Sequence, residues 1–337
     1  MANERGGISL APMLAKKELG IFVLLVALCT IVALKSPAFL SSANLQNTAR
    51  LIGMYGIFSI GLGIVIITGG IELSVGSAFA LQGVMLAIML REWGWHWSLA
   101  APAVVLGSML IGCLHGVLVA GVRMQAFIVT LCGLLFYRGV ARYIANDETK
   151  GFGTESFGPL RDLATGNVGG VNGVPMPFVL LLVVAAVMWV VLHRSVYGRY
   201  LFAVGRNEDA ARYSGINSRL VIASAYVVCG ALAGVAGIII AFYTNSISPA
   251  GHGNFYELYG IAAAVLGGCS LSGGEGSIIG IVIGTALLQV LQNLVNLLGI
   301  PSSLNFAVMG AVILIGVLAD QLLSRRRGAA KGGVGKT

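Results

Sequence analysis

Leu220-Val221-Ile222-Ala223-Ser224-Ala225-Tyr226-Val227-Val228-Cys229-Gly230-Ala231-Leu232-Ala233-Gly234-Val235-Ala236-Gly237-Ile238-Ile239-Ile240-Ala241-Phe242-Tyr243 runs for 24 residues without a charged side chain. A helix of about 20 such residues spans the hydrocarbon core of a bilayer. Working outward, nine more windows read the same way: 19–34, 51–68, 73–90, 98–122, 126–145, 177–193, 256–268, 277–298 and 303–323. The expected fold class is therefore an all-α polytopic membrane protein of about ten transmembrane helices. Window 256–268 is short for a crossing and window 73–90 is rich in small and polar residues, so both are expected to be broken or re-entrant. Non-helical backbone is tolerated at membrane depth where protein or water lines it.

Composition agrees. Hydrophobic residues make up 57% of the 337 and charged residues 10%, against about 25% charged in a soluble domain. A soluble protein this apolar would be unable to cover its surface. The 48 glycines suit membrane helices, which approach closely through small residues. The net charge of +8 is concentrated in a few loops and at the chain ends, with no basic stripe interleaved with aromatics, so nucleic acid is not an expected partner. Cys29, Cys113, Cys132, Cys229 and Cys269 lie in or beside apolar windows without metal-ligand spacing; they read as small packed residues. No metal or cofactor is expected. The flank after Leu34 lacks a small-x-small cleavage site, so the first window reads as a retained span.

With ten spans, 14 of the 21 Lys and Arg residues fall on the side that holds the two termini and the loops after windows 2, 4, 6 and 8. Positive residues accumulate on the cytoplasmic side, which puts both termini in the cytoplasm. The chain then divides into a cytoplasmic segment 1–18, a transmembrane region 19–323 and a basic tail 324–337. The largest external segment, 146–176, is Gly-rich and polar.

Between windows 6 and 7, within loop 194–219, Asn207 precedes Glu208 and Asp209 and Gly215 follows eight residues later. An Asn cap, acids in the first turn and a terminal Gly describe a helix of roughly two turns on the cytoplasmic face. Its small face, Ala210, Ala211 and Ser214, would let a partner approach; an ordinary solvated loop is the alternative. There is also an internal echo: Gly69-Gly70-Ile71-Glu72-Leu73-Ser74-Val75-Gly76 and Gly267-Gly268-Cys269-Ser270-Leu271-Ser272-Gly273-Gly274 share Gly-Gly-x-x-Leu-Ser-x-Gly. Transporters are often built from repeats, with chance similarity as the rival explanation. Gly69, Gly70, Glu72, Leu73, Ser74, Gly267, Gly268, Leu271 and Ser272 are candidate gate or turn residues.

Polar groups inside spans cost energy and tend to face the interior. Gln82, His115, Gln289, Gln292, Asn293, Asn296 and Asn305 qualify as lining for a path, and Gln289, Gln292, Asn293 and Asn296 share one helical face. Interhelical hydrogen bonding is the competing role for each. His115 reads as a packed histidine, with pH sensing as its alternative. Glu72 and Glu257 sit at span boundaries, where capping competes with gating. Arg138 and Arg142 are expected to snorkel to the external interface.

Several motifs occur in one order: Thr68 to Ser77, Ala126-Phe127-Ile128-Val129-Thr130-Leu131, Gly205 to Ile216, Tyr256-Glu257-Leu258, Gly267 to Gly274, and Asn293-Leu294-Val295-Asn296-Leu297-Leu298-Gly299. On these, residues 45–320 resemble the permease subunits of bacterial ABC-type monosaccharide importers, the ribose, xylose and arabinose family. The resemblance implies a multi-pass inner-membrane location, a second permease copy or paralogue, a cytoplasmic ABC ATPase, a periplasmic sugar-binding protein and a sugar as substrate. It also implies that Gly205, Asn207, Glu208, Ala210, Ala211, Gly215 and Ile216 belong to the coupling helix that seats in the ATPase. The family pattern has Asp at Glu72, Pro at Gln125, Asn at His115 and Asp at Tyr259, which leaves the particular sugar open.

Leu271-Ser272-Gly273-Gly274-Glu275 imitates an ABC ATPase signature, and Lys331-Gly332-Gly333-Val334-Gly335-Lys336-Thr337 a Walker A loop. Neither has the strand and helix a phosphate loop requires, so no catalytic residue and no ATP hydrolysis are expected. An ion-coupled secondary transporter would carry mid-span acids, and none is evident. A branched-chain amino acid permease would need groups for a zwitterion. An intramembrane enzyme would need a nucleophile–base pair or metal ligands.

Overall fold

The computed structural model describes residues 11–301 except 156, together with 304, 307, 308, 310, 311 and 314. Window 303–323, Asn305, the basic tail and the Walker-like ending therefore lie wholly or largely outside the described residues, as does most of segment 1–18.

Among the described residues, eight helices are long and apolar enough to cross a membrane. They are α1 (Ala11–Lys35), α2 (Ser42–Ile67), α3 (Val75–Ala87, prolonged to Glu92), α4 (Trp97–Gly116, prolonged to Gly121), α5 (Ala126–Ala145), α7 (Met176–Arg194), α10 (Ser218–Thr244) and α12 (Ile278–Leu297). Shorter helices separate them: α6 (Leu160–Thr165), α8 (Val196–Arg206), α9 (Glu208–Tyr213) and α11 (Tyr256–Leu266). The only strands among the described residues are two-residue ribbons, Lys150–Gly151 with Ser246–Ile247 and Asn167–Val168 with Val174–Pro175. One end of the bundle carries Arg123, Arg194, Arg199, Arg206, Arg212 and Arg219 in its connections and is called the basic end. The opposite end carries residues 146–175.

α2 and α10 form the centre, and α1 and α7 are mostly surface. The α4–α10 crossing follows from sequence: Gly112 and Gly116 admit the backbone of α10 at Tyr226 and Ala223, and Gly230 and Gly234 admit that of α4 at Ser108 and Val105. A Cβ at Gly112 would sit 2.2 Å from the Tyr226 carbonyl oxygen, and one at Gly230 2.4 Å from that of Ser108. Small residues four apart on both helices let the backbones touch. α3 and α4 each end in a widened turn, with Trp93 N–H donating to the Ile88 carbonyl at 2.9 Å and Val122 N–H to that of Val117 at 3.0 Å.

The two doubtful windows are continuous helices from Val75 and Tyr256, and the irregular backbone lies just before each. The chain leaves α2 at the basic end, runs without helical structure through residues 69–74, and only then starts α3. α11 is the counterpart from the other end: residues 248–255 enter the bundle in irregular turns before the eleven-residue helix completes the way to the basic end.

Candidate functional site

Three remote segments meet at the basic end. Ser195 caps α8, its side chain accepting from the Gly198 N–H at 3.1 Å, and Leu201 and Val204 bury its apolar side. Gly205, one residue from the end, lies so close to the last turn of α2 that a Cβ would stand 1.8 Å from the Ile67 carbonyl oxygen and 2.6 Å from the Gly274 nitrogen. The Gly274 N–H donates to the same Ile67 carbonyl at 2.8 Å. This joint is made of main chain, and only a residue without a Cβ fits it.

α9 hangs from the joint. Asn207 caps it as expected, accepting from the Ala210 N–H at 2.9 Å. Glu208 accepts from the Ser218 hydroxyl at 2.9 Å, tying the turn to α10, and Asp209 pairs with Arg212 at 2.9 Å. Gly215 takes φ +85°; its N–H bonds the Arg212 carbonyl at 3.0 Å and that of Ile216 the Ala211 carbonyl at 3.1 Å, a Schellman ending. The expected small face needs correction. Ala211 is turned inward and buried, while Ala210, Ser214 and Tyr213 (84% exposed) face out. The 3.6-residue period explains it, since Ala211 shares a face with the half-buried Ile216 end of the turn and not with Ala210. α8 itself was absent from the sequence reading, although its charged Arg199 and Arg206 opposite Leu201 and Val204 carry the amphipathic signal.

The two Gly-Gly motifs come together here. A Cβ on Gly273 would lie 2.6 Å from the Gly205 carbonyl oxygen and 2.9 Å from the Gly69 nitrogen. Each motif closes a helix, but one residue out of step. Gly69 (φ +81°) ends α2, with the Gly70 N–H on the Val65 carbonyl at 3.0 Å; Gly268 (φ +93°) ends α11, with the Cys269 N–H on the Ala264 carbonyl at 2.9 Å. The echo is a pair of matching caps, and the chain diverges after it. Leu271 and Ser272 are exposed beside the joint, Gly267 is buried against Gly280, and burial pushes the Cys269 thiol up to about 12.

A buried polar cluster lies one step deeper, around residues 71–74. The Glu72 carboxylate (5% exposed) accepts from the Ser74 N–H at 2.6 Å and its hydroxyl at 2.7 Å, and meets His115 Nδ1 (1% exposed) at 2.6 Å. His115 Nε2 lies 3.0 Å from the Tyr137 hydroxyl, and the Tyr226 hydroxyl donates to the Ile71 carbonyl at 3.2 Å. One extended segment is thus tied to α4, α5 and α10. Glu72 sits at a span boundary, between α2 and α3, as expected, and the extended segment that holds it is buried. Two of the four departures from the family pattern, Glu72 and His115, thus meet in a single contact. Beside them, Glu72, Ser74, Ser108, Tyr226 and neighbours line a cavity of about 20 Å³, room for about one water.

The other path candidates are dispersed. Gln82 donates to the Ser108 hydroxyl at 2.7 Å. Asn293 and Asn44 exchange amide hydrogen bonds at 2.7 and 3.1 Å between α12 and α2. Gln289 is 3% exposed, Gln292 half-buried and Asn296 exposed. Glu257 is buried at the start of α11 with its carboxylate against Gly76, the second residue of α3. Arg142 pairs with Asp147 at 2.6 Å at the end opposite the basic one. Arg138 does not snorkel: its guanidinium points inward and donates to the carbonyls of Pro249 (3.0 Å) and His252 (2.7 Å). Irregular backbone offers these carbonyls unpaired, and they hold the charge at shorter reach than the interface would.

Apolar helices long enough to cross a membrane, joined at the basic end through main chain and a capped surface helix, define a polytopic membrane protein. A family model described as "Branched-chain amino acid transport system / permease component" matches residues 44–317. The chain belongs to this family of transport-system permease components. It is 40% identical over 298 residues to the ribose import permease RbsC of Escherichia coli strain K12, covering 88% of this chain and 92% of that one. Against RbsC of Bacillus subtilis strain 168 the figures are 36% over 315 residues, 90% and 93%. Against the xylose transport system permease XylH of Haemophilus influenzae they are 31% over 363 residues, 90% and 96%. No solved structure matches.

Proposed function

We propose that this chain is the membrane subunit of an ATP-driven importer for a pentose or related monosaccharide, one of a pair of permeases in the inner membrane. The observation that carries the reading is the joint at Gly205, where a solvent-exposed capped helix bears directly on both helix-ending Gly motifs. The basic end is the cytoplasmic one, and α9 is the handle on which a separate cytoplasmic ABC ATPase pulls. ATP is hydrolysed there, and this chain contributes a gate. A periplasmic sugar-binding protein docks on the opposite end, on residues 146–176. The names of the ribose and xylose relatives support a sugar over an amino acid, despite the family model's description. The polar residues the sequence offers to a path, Gln82, His115, Gln289, Gln292, Asn293 and Asn296, are neutral hydrogen-bonding groups of the kind a sugar requires.

The test replaces Asn207-Glu208-Asp209 by three glycines in the reconstituted complex. Loss of the cap and of the tie to Ser218 is expected to abolish ATPase stimulation by sugar-loaded binding protein, with membrane insertion intact. Stimulation at the parent level would defeat the assignment of α9.

A further inference from the structure

Residues 248–255 are irregular backbone at membrane depth. Tyr256, immediately after them, packs its ring on Phe58 (6.3 Å between centroids), Phe79 (6.1 Å) and Tyr55 (5.0 Å). At 1.5 Å per residue, Phe58 is about 14 Å from the basic end of α2 and about 24 Å from the other end. The segment is fixed from behind by Arg138 on the Pro249 and His252 carbonyls and by the close approach of Gly253 to Gly76, whose carbonyl oxygen lies 2.3 Å from where a Gly253 Cβ would be. Its other side is open: Ala250, Gly251, Asn254 and Phe255 are exposed, and so is Leu258 one turn into α11. Phe255 is 48% exposed and held at φ +66°, a conformation that bulky residues avoid and that survives at functional positions.

Lipid is a poor solvent for this face, because it exposes the polar side chain of Asn254 on irregular backbone at this depth. Water or another protein chain suits it better. A second observation favours water. His252, buried within the segment, has an Nε2 with no hydrogen-bond partner among the described residues, and buried polar nitrogens without protein partners are commonly satisfied by ordered water. The exposed groups also suit a sugar: the Asn254 amide, whose nitrogen donates to the Ala250 carbonyl at 3.3 Å, keeps a second N–H and its oxygen for a ligand, beside an aromatic ring on which the C–H face of a sugar ring can pack.

Resting on the permease reading above, we infer that residues 250–255 line the aqueous path at its mid-membrane constriction, with Asn254 and Phe255 as the sugar-contacting, specificity-determining residues. The fixed side of the segment keeps their positions, and the irregular backbone before α11 is what brings an amide and a ring to this depth without a continuous helix behind them.

The experiment uses the assembled complex in vesicles, with Cys29, Cys113 and Cys132 replaced by Ser. Cys229 and Cys269 are buried and stay. Asn254→Cys is probed with a charged, membrane-impermeant thiosulfonate, against Leu110→Cys on the exposed face of α4 as the apolar reference. Labelling at least tenfold faster than the reference, slowed by saturating sugar-loaded binding protein, is expected. Labelling at the reference rate, or spontaneous disulfide pairing of Asn254→Cys with a second copy in place of labelling, would overturn the inference. Phe255→Leu is expected to change the ratio of transport rates for two aldopentoses at least fivefold, with Phe255→Tyr keeping the parent ratio; an unchanged ratio in Phe255→Leu would remove the ring from the site. Fast labelling in a complex that transports no monosaccharide would leave the aqueous path standing and remove the sugar, so the two readings fail separately.

Discussion

Gly205→Ala concentrates the reasoning about the joint into one methyl group. Its carbon would be placed 1.8 Å from the Ile67 carbonyl oxygen, whereas carbon and oxygen in ordinary contact stand near 3.4 Å. The end of α8 must then retreat by about 1.6 Å, or the last turn of α2 must move with it. Overpacking of this kind costs about 1–3 kcal/mol, and separating the Gly274 N–H from Ile67 adds about 1 kcal/mol. A total near 2–4 kcal/mol lowers the population of the docked elbow by a factor of about 30 to 800. The obvious escape is local undocking, with the bundle intact, so the assay has two arms. Thermal stability of the purified complex should fall modestly. Stimulation of ATP hydrolysis by sugar-loaded binding protein should fall at least tenfold. Gly215→Ala is the control: φ is +85° but nothing lies within 4 Å of the added carbon, so it costs about 1 kcal/mol of backbone strain confined to the end of α9. Its stimulation should stay within about threefold of the parent. Parent-level stimulation in Gly205→Ala would refute a main-chain joint between α8 and α2.

Two other expectations concern the interior. Glu72→Ala and His115→Ala should each cost about 3–5 kcal/mol, because each leaves a buried polar partner exposed to a low-dielectric interior, and the double substitution should recover a coupling of about 1–3 kcal/mol in melting experiments; strictly additive losses would deny the contact. Asn44→Ala removes one half of the reciprocal amide pair with Asn293, so stability should fall by about 0.5–2 kcal/mol while transport below the melting transition is unchanged. Loss of transport at undiminished stability would return Asn293 to the path.

The long spans were legible because hydrophobicity over 18 or more residues has few other meanings, and α2, α4, α5, α7, α10 and α12 fall where their windows predict. The breaks expected within windows 73–90 and 256–268 are not there: both run as continuous helices from Val75 and Tyr256, and the irregular backbone falls just before them. Direction was not legible either. Nothing local says that Glu72 is carried inward by an extended segment, since that depends on α4, α5 and α10 closing around residues 71–74. Arg138 was misjudged for the same reason: snorkelling is the default for a lone arginine, and the carbonyls that hold it belong to a segment more than a hundred residues away. The cap residues Asn207 and Gly215 act through neighbours in sequence and were read directly. The Gly205 joint needed three segments at once, and no periodicity encodes that.

The same joint has a consequence for how the protein is made. Its three parts, Ile67, Gly205 and Gly274, enter the membrane in that order as the chain is synthesised from the N-terminus. The elbow of α8 and α9 finds the end of α2 already made, and only when Gly274 has emerged can its N–H close on Ile67. A chain that ends before Gly274 carries a well-capped α9 on a joint that lacks one of its three parts. The joint is therefore complete only in molecules made at least as far as Gly274.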